Sequence, residues 1–321
     1  MKVILCADTE DNPPNYVMGW KKTGSDYSKE QAIIKWSWLD YFDNLIKVID
    51  RFNAKIFWAL RVDNGPVRQQ YLEKVFPLLE KKGVSKDDAG IHIHTWSYNK
   101  RLGWIQEIKP ESEEEIVNAS LNYWKSYFGE KARISRMGWC TGSNAIVDAL
   151  EKHGINVDIS ALPGLKSNGK NHTNIYDWTG SLHKPFYISE TNYKLEGSRN
   201  ILEIPVTVET SGSFLRNGLN VLYPLAKFCK NILPRKVINK TASIVNKFFY
   251  ISPYQNNMNI INKNLDNELL VGYFHPSDIL DPNTNKLNKS FLHNLSLVLQ
   301  NLKNLNAEFL STKDILRLKN D

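Results

Sequence analysis

Cysteine is scarce in this chain. Cys6, Cys140 and Cys229 are the only three in 321 residues. They are far apart and odd in number, which argues against a disulfide framework or a cysteine-based zinc site. Cys6 lies inside an apolar run and reads as a small buried residue. The N-terminus also lacks a long hydrophobic run: "MKVILCADTEDN" meets three acids after a few apolar residues. That pattern is neither a signal peptide nor a membrane span, so a cytoplasmic protein is expected. Helix-turn-helix, zinc-finger and RNA-binding aromatic signatures are missing. The Lys and Arg behind the net charge of +7 are spread along the chain, so no nucleic-acid partner is expected. No internal repeat occurs. The chain does have 42 % hydrophobic residues and nine tryptophans. That suffices for a sizeable core in one large α/β domain or two small ones.

Short apolar or β-branched runs alternate with longer helical patterns. Strands are expected at 2–8, 54–62, 89–96, 132–137, 155–160, 201–208, 268–275 and 307–312. Helices are expected at 37–52, 111–128, 143–153, 288–305 and 312–319. In the first, Trp38, Phe42, Leu45, Ile46 and Ile49 share a face. The second opens on the acidic turn "ESEEE", which suits a helix N-terminus. The third has Ser143 or Asn144 as N-cap and ends before Gly154. Such alternation argues for parallel strands joined by crossover helices, and seven or eight units suggest a barrel. Residues 212–255 interrupt the pattern, being apolar and basic with no acid. They read as an insertion of one or two amphipathic helices. These would cover the barrel or touch a membrane surface or an anionic lipid-linked glycan.

In a parallel α/β barrel the chemistry gathers at the C-terminal ends of the strands. The expected strand ends carry Asp8, Glu10 and Asp11; Arg61 and Asp63; His92, His94 and Trp96; Arg136; Asp158; Glu203; and His275. His92 and His94 share a face of a strand, since side chains alternate with period two. Two imidazoles with a carboxylate from the first strand would make three metal ligands and leave open positions. Asp8 and Glu10 also share a face, so one carboxylate can bind metal while another deprotonates a water. His275 could protonate a leaving group. Arg136 could pair with a catalytic carboxylate. Trp96, Trp139 and Trp178 could line a groove for sugar rings, with Asp63 beside them.

The order of these residues resembles the polysaccharide deacetylase family, the NodB-homology group also known as carbohydrate esterase family 4. Asp8-Thr9-Glu10-Asp11 stands where that family has its acidic motif. Gly90-Ile91-His92-Ile93-His94-Thr95-Trp96 stands for its histidine motif, here in a His-x-His-x-Trp form. Arg136-Met137-Gly138-Trp139, then Leu202-Glu203-Ile204-Pro205 and finally "YFHPSDIL" match its later motifs. The resemblance spans about residues 1–315. It implies a single domain over 1–321, a distorted (β/α)7–8 barrel with a helical insertion at about 212–255. It also implies a metal-dependent hydrolase that removes N-acetyl, or O-acetyl, groups from an amino sugar in a glycan; the bare N-terminus and the basic insertion point to a glycan precursor for surface polysaccharide biosynthesis. Carried over, Asp8 is the general base, Glu10 or Asp11 the acidic ligand and His92 and His94 the metal ligands. Arg136 orients Asp8, and His275 is the general acid. Zinc suits two histidines and a carboxylate, and Co, Ni or Mn could occupy the same ligands.

Other readings remain at this point. An amidohydrolase-type metallohydrolase also uses His-x-His, but there the pair ends the first strand. An inactive glycan-binding relative would keep the aromatic groove without needing Asp8, Arg136 and His275 together. A basic scaffold could act at the inner face of the membrane through 212–255.

Overall fold

Period-two alternation builds the centre of the molecule. In β1 (Lys2–Thr9), Val3, Leu5 and Ala7 enter one apolar cluster, while Ile4 and Cys6 enter a second. A strand buried on both faces belongs inside a parallel α/β sheet. The computed structural model describes residues 1–10, 37–62, 71–170, 172–209, 248–281, 284 and 286–320. Asp11, Asp63 and, of the insertion expected at 212–255, the part up to residue 247 lie outside the described residues.

Along the chain follow β2 (Phe57–Arg61), β3 (Ala89–Ile93), β4 (Trp96–Asn99), β5 (Gly103–Gln106), β6 (Ile134–Met137) and β7 (Val157–Asp158). Then come β8 (Lys166–Lys170), β9 (Thr173–Asp177), β10 (Phe186–Tyr187), β11 (Leu202–Glu203), β12 (Tyr250–Ile251), β13 (Leu269–Phe274) and β14 (Glu308–Phe309). The main sheet runs β10-β11-β7-β6-β3-β2-β1-β13-β12. Its pairs are parallel except β10 with β11. β14 pairs with the start of β1, and β2 with its later half. β4–β5 and β8–β9 are separate hairpins.

The sheet curls, and an irregular segment bridges its ends. Ile204 N donates to Asp158 O at 2.8 Å and Val206 N to Ala161 O at 2.9 Å, on the β7 side. One residue on, Thr207 N donates to Val271 O of β13 at 2.9 Å, and Thr207 O accepts from Phe249 N at 2.8 Å. The result is the expected distorted barrel. The strand expected over 201–208 shrinks to two residues because its later part serves two neighbours in turn.

Among the described residues the α-helices are α1 (Phe42–Arg51), α2 (Phe76–Glu80), α3 (Pro110–Phe128), α4 (Asn144–His153), α5 (Met258–Lys263), α6 (Lys289–Asn304) and α7 (Thr312–Arg317). Phe42, Leu45 and Ile49 of α1, Val117 and Leu121 of α3 and Leu295 and Leu299 of α6 join Val3, Leu5 and Ala7 in the outer cluster. Ser143 caps α4 by accepting from Ile146 N, and Gly154 ends it at φ 85°. The left-handed turn there suits glycine, which has no Cβ to clash. No helix among the described residues is long and apolar enough to cross a membrane.

The last residues of the segment expected as an insertion, from 248 on, are described and do not form a helix. Phe249 is fully buried, and Tyr250 and Ile251 pair in parallel with Tyr273 and Phe274. The aromatic end of the basic segment is therefore a barrel strand.

Candidate active site

Inside the curve of the sheet, the strands turn from apolar to polar as they approach their C-terminal ends. Ile4 and Cys6 lead to Asp8 and Glu10, Ile134 to Arg136, and Val271 and Tyr273 to His275. Period two places each polar residue on the same face as its apolar predecessors. β3 stops at Ile93 rather than Trp96, because the chain turns there into the β4–β5 hairpin. His92 and His94 still face each other, with their Nε2 atoms 3.3 Å apart.

Glu10 stands between three imidazoles. Its Oε2 lies 2.5 Å from His94 Nε2 and 3.8 Å from His92 Nε2. Its Oε1 lies 3.1 Å from His275 Nε2. Burial by itself raises the Glu10 carboxyl. The charge of His94 and hydrogen bonds from His275 and His94, with His92 close by, reverse this and hold it well below the usual range. Burial lowers His275, but its hydrogen bond to Glu10 and the Glu10 charge outweigh that and lift it to about 9.

Glu10, His92 and His94 are buried and offer one ligand atom each within 4.8 Å of one another. Two nitrogen ligands about 2.0–2.1 Å from a tetrahedral centre stand about 3.3–3.4 Å apart, as the two Nε2 atoms do. The protons alone do not satisfy this cluster. If His94 Nε2–H donates to Glu10, His92 Nε2 meets a nitrogen that has no lone pair left. His92 Nδ1 has no hydrogen-bond partner among the described residues either. A cation between the two nitrogens and the carboxylate fits this donor set.

Beside the cluster, Asp8 and Arg136 form a buried pair. Arg136 Nε donates to Asp8 Oδ1 at 2.6 Å and Nη1 to Ile159 O at 2.6 Å. The guanidinium also lies 4.2 Å over the Tyr273 ring. Burial pulls its pKa down, yet Asp8 more than compensates and holds it well above the usual value.

The turn after β6 shapes the aromatic wall. Trp139 and Cys140 both take left-handed conformations, at φ 52° and 53°, which costs of order 1–3 kcal/mol for each non-glycine residue. Trp178 Nε1 donates to Cys140 O at 2.7 Å, and Gln106 Nε2 donates to Thr141 Oγ1 at 2.9 Å. These bonds hold the turn, which sets the Trp139 ring 4.6 Å from His94 and 4.4 Å from Trp96. A Cβ on Gly138 would stand 2.3 Å from the His94 ring, so only glycine lets the ring pack there.

No protein-family model matches the chain, and no curated protein matches it. Several solved structures are similar to it. One is a protein described as a polysaccharide deacetylase from Mycobacterium smegmatis, at 10 % identity and TM-score 0.47, covering 99 % of this chain and 91 % of that one. A second, so described from Pseudomonas aeruginosa PAO1, has 13 % identity and TM-score 0.41, covering 98 % and 89 %. A 4-alpha-glucanotransferase from Thermococcus litoralis has 11 % identity and TM-score 0.38, covering 98 % and 38 %. At these identities the chemistry has to come from the side chains.

The structure brings together Asp8, Glu10, His92, His94, Arg136, His275, Trp96 and Trp139. Of these, Trp139 is half-buried while Trp96 is buried. Trp178 does not join them as a groove face, being 1 % exposed and bonded to the turn backbone. Asp158 and Glu203 also stand apart. Val157, Ile159, Leu202 and Ile204 occupy the inner cluster, so alternation turns these two acids to the other face. There Ser135 and Ser160 donate to Asp158 Oδ1 at 2.6 and 2.9 Å, and Ser160 N and Ala161 N donate to Glu203 Oε1. Burial first, then the Asp158 charge, push Glu203 well above the carboxyl range, and burial also raises Asp158.

Glu203→Gln imitates a protonated Glu203. The folded protein keeps that proton above pH ~4.3, where the unfolded chain has lost it. Wild-type stability should therefore fall as pH rises from there, by up to about tenfold in the folding equilibrium per pH unit. The variant should resist urea better than wild type at pH 8, with the gap closing near pH 4. An equal gap at both pH values would contradict a proton held on Glu203 in the folded protein.

Sequence reasoning missed Tyr250, Asp278 and Gly138. Tyr250 was hidden in the basic aromatic run "KFFYISPY". Asp278 follows His275 by three residues, a spacing that could have suggested a partner.

Proposed function

We propose that the chain is a metal-dependent carbohydrate deacetylase that hydrolyses the acetamide, or acetate ester, of an acetylated amino sugar. One observation carries this reading: Glu10, His92 and His94 converge at the strand ends that also hold the Asp8–Arg136 pair and His275. A divalent cation held by the three ligands supplies a Lewis acid and eases the ionisation of water near neutral pH. Zinc suits the donor set best, and Co, Ni or Mn fit it too.

The chain's own groups do the rest. Asp8, aimed by Arg136, accepts the proton of the attacking water. As the carbonyl carbon gains the water oxygen and the C–N bond breaks, His275 Nε2 gives its proton to the leaving nitrogen. The products are acetate and the free amine. The half-buried face of Trp139 offers a platform for a sugar ring. The basic, apolar segment at 212–255 favours a glycan precursor, nucleotide-linked or lipid-linked, as the substrate.

The test is metal content and acetate release together. The protein, purified without a metal-binding tag, should carry near-stoichiometric transition metal by elemental mass spectrometry. His92→Ala and His94→Ala should each lose it. A panel of N-acetylated amino sugars, free, nucleotide-linked and lipid-linked, should yield acetate from at least one member. No metal after soaking in Zn, Co or Ni would overturn this reading in favour of a glycan-binding relative.

A further inference from the structure

His275 has a second partner on the side away from Glu10. Tyr250 Oη lies 3.0 Å from His275 Nδ1 and donates to Asp278 Oδ2 at 2.8 Å. The direct His275 Nδ1 to Asp278 Oδ2 separation is 4.0 Å, too long for a hydrogen bond. The three groups therefore form a chain with the tyrosine in the middle.

Counting protons gives this chain a direction. A phenol has one O–H to donate and lone pairs to accept with. The Asp278 carboxylate takes the tyrosine proton, so Tyr250 Oη accepts from His275 Nδ1–H. With Nδ1–H committed, Nε2 faces Glu10 Oε1 at 3.1 Å. A flipped ring would set carbon against the phenol oxygen and lose that bond.

Tyr250 is itself held firmly. Its ring stacks on Tyr273 at 4.9 Å and meets the His275 ring edge-on at 5.3 Å. Its carbonyl accepts from Asn257 Nδ2, and its strand β12 pairs with β13, which leads directly into His275.

We propose that Tyr250, backed by Asp278, is the positioning residue that holds His275 with Nε2 toward the reacting groups. The inference rests on the deacetylase reading above. It assigns Tyr250 a role through His275 rather than on substrate.

Leaving-group dependence tests it. An amine needs a proton to depart, whereas 4-nitrophenolate leaves 4-nitrophenyl acetate without one. Tyr250→Phe keeps the ring and removes the hydroxyl. It should lower kcat on the reactive N-acetylated sugar about 10- to 100-fold, with KM and metal content kept. Turnover of 4-nitrophenyl acetate should stay within about twofold. Tyr250→Phe combined with His275→Gln should be no slower on the sugar than His275→Gln alone, because residues acting as one unit are not additive. Should Tyr250→Phe lose its fold, Asp278→Ala must show the same selective loss.

Equal losses on both substrates would overturn the proposal, as would an unchanged kcat or additive losses in the double variant. Wild type without turnover of any panel sugar would instead remove the deacetylase reading, and this inference with it.

Discussion

Asp8→Asn should lower acetate release by about 10²- to 10⁴-fold, the usual range for a general base, while metal content stays at the wild-type level. Asp8 lies on β1 two residues before Glu10, and its Oδ1 accepts from Arg136 Nε at 2.6 Å. An asparagine oxygen can keep that hydrogen bond, so the ring of partners survives. What it cannot do is accept a proton from water at neutral pH. Acetate release by the purified variant, with elemental mass spectrometry on the same sample, checks this. Turnover within about threefold of wild type would remove Asp8 from the reaction and leave it as the counter-ion of Arg136.

Arg136→Met should lower the free energy of unfolding by about 3–5 kcal/mol, the cost of stranding one member of a buried ion pair. Both partners are almost wholly buried, at 1 % and 3 % exposure, and the guanidinium also serves Ile159 O and the Tyr273 ring. Methionine fills the volume and leaves the Asp8 charge without its cation. Removing both charges is gentler, because no lone ion remains in the interior. Asp8→Asn with Arg136→Met should therefore recover much of the lost stability and none of the lost turnover. Urea unfolding of the three variants measures the first part and acetate release the second. A loss below about 1 kcal/mol for Arg136→Met would mean that water reaches Asp8 and replaces the arginine.

Much of this molecule is legible before folding. The eight expected strands all exist, because runs such as "KVILCAD" and "ELLVGYFH" carry their own burial pattern. Glycine and serine punctuate α4 where expected. His92, His94, Arg136 and His275 are recognisable because chemistry-bearing residues follow apolar runs at strand ends. These signals are local, and local patterns report which face a side chain takes and where an element stops.

Partnership between distant residues is another matter. Among the described acids of "ADTEDN", Glu10 faces the histidines, because its position just past the end of β1 puts a carboxylate 2.5 Å from His94. Asp158 and Glu203 sit at strand ends like the rest, yet face away from the site, where burial and the Asp158 charge favour the protonated form of Glu203. Trp178 looks like a sugar platform and instead props the backbone of Cys140. Tyr250 comes from a stretch that reads as a basic helix and becomes a strand beside β13. Period and propensity act over a few residues, so the chain could announce its strands and its reactive groups. Which strands become neighbours, and which side chains then meet, depends on contacts across long stretches of chain, such as the 128 positions between Asp8 and Arg136, and only packing the whole barrel chooses among them.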